Sequence, residues 1–205
     1  MIRKASVVFL VLAVGTAGCV EQNGAAGKDS KVCGGATYEW RHEAQWVPIV
    51  LDAARVVSRG DELRVDGQPY NPWSATIVVD QDVEPPIGAL SELSRKVGKP
   101  LASPGRSTMS EIIKMTTGFT GEEAQAVYFQ AVERVDAQFV LKCPGGDRTI
   151  TGKISTWNTG SKSFGTADCL KPLAENPENP VVKVAAIKRC PKDSVLVQDV
   201  SRINP

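Results

Sequence analysis

The chain has 205 residues, with 24 Lys and Arg against 23 Asp and Glu, one His, and a formal net charge of +1. That near balance argues against a general nucleic-acid binder, which needs a basic face to displace counterions. Its length suits one domain of ordinary size, with 42% hydrophobic residues to build a core.

The N-terminus carries the clearest local pattern. Arg3 and Lys4 precede the apolar run Ala5 to Val14 (ASVVFLVLAV), which is followed by small residues from Gly15 to Gly18. Ten apolar residues are too few for a transmembrane helix, which needs about 20, but they suit the core of an export signal. The stretch Thr16-Ala17-Gly18-Cys19 resembles the lipobox of bacterial lipoproteins. That resemblance implies cleavage after residue 18 and a diacylglycerol lipid on the Cys19 thiol. Thr16 stands where the family usually has an aliphatic residue, and ordinary secretion with cleavage near Ala17 or Gly18 is the competing expectation.

Cysteine parity bears on the same question. The chain has five cysteines, and an odd thiol is a liability in an oxidising compartment. With Cys19 lipidated, Cys33, Cys143, Cys169 and Cys190 form an even set able to make two disulfides. Their spacing leaves three pairings open. Cys169 with Cys190 is preferred, because they flank a Pro-rich turn and such a loop closure stabilises by about 3 kcal/mol; Cys33 would then meet Cys143. No Cys-x-x-Cys spacing suggests a metal. Cleavage leaves 22 basic against 23 acidic residues.

Residues 19–32 read as a lipidated cysteine and flexible tether, since VEQNGAAGKDSKV has no apolar period with which to order itself. Residues 33–205 then form the folded body. Within it, IVLDAARVV in residues 41–58 fits helix or strand, and its alanines favour helix. Glu62 to Val65, the Asp66-Gly67 turn and Ala75 to Val79 read as extended structure. Pro86 to Val97 reads as a helix ended by Gly98 and Pro100.

Two capping boxes follow. Thr108-Met109-Ser110-Glu111 predicts a helix over 109–117, and Thr120-Gly121-Glu122-Glu123 predicts another over 121–138. In the second, Ala124, Val127, Tyr128, Ala131, Val132 and Val135 recur at helical spacing. Gln138 to Cys143, Pro144-Gly145-Gly146-Asp147 and Arg148 to Trp157 predict a hairpin, with Ile150 and Ile154 on one face. Strands are expected at Val181 to Ile187 and Ser194 to Val200. The expected fold class is therefore α+β: helices in the middle of the chain packed on an antiparallel sheet, in a single domain. No internal repeat is evident, and a division near Ser103-Pro104-Gly105 is a weaker alternative.

Catalytic patterns are sparse. His42 is the only histidine, and Gly-x-Ser-x-Gly, His-Glu-x-x-His and phosphate-loop patterns are missing. Asp80, Asp82 and Glu84 alternate after a strand, but Pro85 stands where a calcium loop needs its glycine, so they read as a solvated acidic loop. No catalytic residue, metal or cofactor is assigned. The 109–117 and 121–138 pair carries too few bases for a DNA-reading helix. Of Trp40, Trp46, Trp73 and Trp157, Trp73 in the turn Tyr70-Asn71-Pro72-Trp73 is the expected exposed contact, with Tyr70 beside it. These readings converge on a lipoprotein of the cell envelope, held on the outer face of the membrane, whose domain binds an envelope protein or wall component. An envelope hydrolase using an Asp/Glu pair is the alternative.

Overall fold

A computed structural model describes residues 36–203, except 82, 119–120 and 146–147. The export signal, Cys19, the tether, Cys33 and Asp82 lie outside the described residues.

The fold is mixed α+β, built on an antiparallel sheet. Its strands are β1 (Thr37–Leu51), β2 (Arg55–Val57), β4 (Thr76–Val79), β6 (Ala124–Lys142) and β7 (Thr149–Asp168). The order is β1-β6-β7-β4, with β2 also on β6. A separate two-stranded sheet pairs β3 (Glu62–Val65) with β5 (Met115–Gly118). Among the described residues, three α-helices complete the fold: α1 (Ala89–Val97), α2 (Pro180–Arg189) and α3 (Val195–Ile203). Only α1 lies mid-chain, so the expectation of centrally placed helices is corrected: the other two close the chain.

The largest correction concerns β6, which replaces the expected helix over 121–138. Its odd residues Val127, Phe129 and Ala131 pack with α2 and α3, while its even residues Ala124, Ala126 and Tyr128 pack with Val57, Leu63 and Val65. A strand covered on both faces loses its two-residue alternation and reads as a nearly continuous apolar run. Helical spacing can be picked out of such a run, but Val, Tyr and Phe pack better on a pleated surface. Likewise, residues 41–58 form strands instead of a helix, and Pro48 is accommodated because β1 pairs with β6 on one side alone among the described strands. Residues 109–117 form a 3-10 turn over Thr108–Glu111 and then β5.

The C-terminal strands expected at 181–187 and 194–200 are the helices α2 and α3. Pro180 occupies the first turn of α2, where its missing N–H costs nothing, and the Asn179 side chain accepts the Val181 N–H at 2.9 Å. These capping features outweigh the β propensity of its valines. The Cys169–Cys190 disulfide joins the end of α2 to the residue that follows β7, within a core that includes Val181, Ala185 and Leu196.

Other expectations hold in part: the helix expected from Pro86 begins at Ala89, so Pro86 lies before it. α1 ends at Gly98, whose φ of 68° places it in the left-handed region and whose N–H reaches Ser94 O. The β6–β7 hairpin is present and longer than expected. The strands expected around 62–65 and 75–79 are β3 and β4, though β3 pairs with β5 rather than with β4.

Candidate functional site

The two faces of the central sheet are covered unequally. On one face, α2 and α3 cover one end, while Ala89 and Leu93 of α1 cover Val135, Ala137, Phe139, Ile150 and Ile154 at the other. On the opposite face, the β3–β5 layer and the loop before β5 cover only half. That cover is fastened by polar side chains: the buried Gln130 amide accepts the Ile113 N–H at 2.9 Å and donates to Ile113 O, and Tyr128 donates to Met115 Sδ. Among the described residues, nothing covers the remaining half.

Register places the open half's side chains in rows. Arg41, Gln138, Lys153 and Val78 lie abreast on β1, β6, β7 and β4. Glu43, Asp136, Ser155 and Thr76 form the next row, about 6.8 Å along the strands. Together they line an open cleft of about 640 Å³, a size that suits a small ligand.

One end of the cleft is rigid. Arg134 grips Asp136 with two contacts, Nε to Oδ2 at 2.7 Å and Nη2 to Oδ1 at 3.0 Å, and Ser155 Oγ donates to Oδ1 at 2.7 Å. The guanidinium stands 4.9 Å over the Trp73 ring, and Trp73 meets the fully buried Trp157 edge to face at 5.0 Å. The arginine is thus held between the Asp136 carboxylate and the Trp73 ring. In contrast, the side chains of Arg41, Glu43, Gln138 and Lys153 are exposed and make no hydrogen bond or ion pair among the described residues. The cleft thus offers free donors and one free carboxylate beside a satisfied pair.

Below the covered half lies a buried charge. Glu111 is 3% exposed and meets Arg106 Nη2 at 2.6 Å and Lys162 Nζ at 2.8 Å. Burial pushes its carboxyl up, but Lys162, Arg106 and the nearby Trp157 indole together hold it below the ordinary range. Glu133 is also lowered, first by the Lys99 ammonium, against burial, and also by the Asn158 amide. Asp52 behaves oppositely: burial raises its carboxyl despite Arg55 at 3.2 Å.

The residues singled out from sequence are dispersed. Trp73 is half-buried under Arg134 and not fully exposed; Tyr70 is half-buried with Arg189 5.6 Å above its ring. The turn between them includes Asn71, with φ of 46°. His42 is exposed and borders the cleft, although it pairs with Ala137 and is out of phase with Arg41 and Glu43. Asp80 accepts the Thr151 hydroxyl at 2.8 Å. Cys143 is disulfide-bonded. A second groove, about 1010 Å³, runs between the start of β1 and α1, where Tyr38 and Trp40 stack at 5.2 Å.

Sequence reading did not single out Arg41, Glu43, Gln138 or Lys153. The usable signal was alternation in TYEWRHEAQ, where Glu39, Arg41, Glu43 and Gln45 share one face. Among the described residues no helix is long and apolar enough to cross a membrane, and no cluster of three or more His, Cys, Asp or Glu could hold a metal. No family profile matches the chain, and neither curated proteins nor solved structures give a significant match.

Proposed function

We propose that this protein is a cell-envelope lipoprotein, anchored through Cys19 to the outer face of the membrane, whose single α+β domain binds a ligand or partner in the open half of its sheet. The observation that carries this reading is the uncovered cleft with its unpaired Arg41, Glu43, Gln138 and Lys153. These side chains lie in two adjacent rows on the uncovered half of the sheet, and a ligand seated there can take up donors and a carboxylate that no other described residue engages. The lipobox-like stretch supports the anchor. Cys33 is the partner for Cys143 that remains once Cys19 carries lipid, and that bond fastens the tethered end to β6. Trp73 serves the site indirectly, by holding Arg134.

The anchor is tested by the intact mass of the protein from its host's membrane fraction. A chain beginning at Cys19 with an added diacylglycerol, released to the soluble fraction by Cys19→Ser, is expected. A soluble, unmodified native chain overturns the anchor.

A second reading, an envelope hydrolase, draws on one observation: Glu43 and Asp136 face each other across β1 and β6. Asp136 is committed to Arg134 and Ser155, which favours binding over proton transfer. Turnover of wall glycan or peptide that Glu43→Gln abolishes would favour hydrolysis instead.

A further inference from the structure

Building on the binding reading, we infer that the cleft recognises the free C-terminal carboxylate of a peptide. Three unpaired donors in one row carry the inference. Gln138 lies between Arg41 and Lys153, with which it is paired in register on either side. Neighbouring strands are about 4.8 Å apart, so the two cations originate about 10 Å apart. Both side chains are long enough to lean over Gln138 and meet one anion there. A guanidinium fork, an amide N–H and an ammonium together match the two oxygens of a carboxylate.

The next row limits the ligand's charge. Glu43 lies two residues from Arg41 on the same face and has no counter-ion among the described residues. It opposes a second negative charge, which disfavours a phosphate dianion and suits a singly charged carboxylate. Asp136 adds little to this opposition because Arg134 neutralises it. At the other end of the donor row, Val78 is 57% exposed. An aliphatic side chain next to the carboxylate can rest there, beside the aliphatic stem of Lys153. The size of the cleft accommodates two or three residues of peptide.

The test is a nuclear magnetic resonance titration of the full-length, isotope-labelled chain in detergent at near-physiological salt. Three probes are compared: a pool of N-acetylated tripeptides with free carboxylates, the same pool as C-terminal amides, and inorganic phosphate. The acid pool is expected to shift the backbone signals of Arg41, Gln138 and Lys153 and the Gln138 side-chain amide, with the amides and phosphate giving little change. Arg41→Gln or Lys153→Gln should weaken the acid response roughly tenfold, the scale of a charge-assisted hydrogen bond. Glu43→Gln should strengthen it about 1.5-fold, as removal of a charge about 6.8 Å away in water, screened over a Debye length of about 8 Å at that salt, implies. A gain of that kind cannot arise from a damaged fold. Equal responses to acids and amides within the cleft would overturn the carboxylate inference and leave the binding reading standing, and a phosphate response exceeding that of the acids would do the same. Silence of the cleft toward all three probes would overturn both.

Discussion

Replacing both Cys169 and Cys190 by alanine tests how the C-terminal helices are held. The bond joins residues 21 apart in sequence. Loop-closure entropy for a loop of that length corresponds to about 3 kcal/mol near 25 °C. Both cysteines are within the core that packs α2 and α3 on the sheet, and Cys169 is fully buried, so alanine also removes some sulfur packing. For a chain of this size, the expected fall in melting temperature is about 6–12 °C. Urea unfolding, followed by circular dichroism, measures the loss directly. The slope against urea should rise slightly, because the unfolded chain without its crosslink exposes more surface. A loss below about 1 kcal/mol would refute the reasoning, since it would mean that α2 is fixed by packing alone and that the crosslink constrains little of the unfolded ensemble.

Further substitutions probe the sheet and its buried charges. A Cβ at Gly152 would lie 2.6 Å from both Phe139 Cζ and Val78 O, so Gly152→Ala should cost about 2 kcal/mol in urea unfolding; a neutral effect would refute that close approach. Glu111→Gln should cost about 2 kcal/mol near pH 7 by removing charge-assisted contacts. Because the folded pKa of Glu111 is lowered, its contribution is complete above the ordinary carboxyl range and is lost as pH falls through the lowered value; the cost of the substitution should shrink accordingly in acid. Asp52 has the opposite sign. Its raised folded pKa favours the protonated form, and that contribution is lost as pH rises through the raised value. Asp52→Asn should therefore stabilise near neutral pH and change little in strong acid, measured by the same unfolding assay.

Local signals read well where a segment is covered on one face only. β7 alternates because Ile150 and Ile154 face α1 while Lys153 and Ser155 face the cleft, and that alternation was legible in residues 148–157. β6 was illegible for the reason that makes it central: its first half is buried from both sides, by layers that come from residues 57–65 and 181–200. The α2 segment VVKVAAI misled through its β-branched residues, although Asn179-Pro180 carried a helix-start signal. The cleft was harder still. Arg41, Gln138 and Lys153 are separated by many residues and meet through the register of three strands, which no short motif records. Trp73 was expected to be exposed, yet its ring is claimed by Trp157 and Arg134; the local sequence around Pro72 says little about which way an aromatic ring packs.

The most direct test of the central claim, that the open half of the sheet is the binding surface, is photo-crosslinking in the native membrane read by intact mass. A photoreactive side chain is placed at Thr76 or Val78 in the cleft, or at the exposed Lys188 or Lys192 at the helical end. Adducts of defined mass from the two cleft positions, with none from the helical end, are expected. Adducts from Lys188 and Lys192 but none from Thr76 and Val78 would contradict the account and move the binding surface to the opposite face.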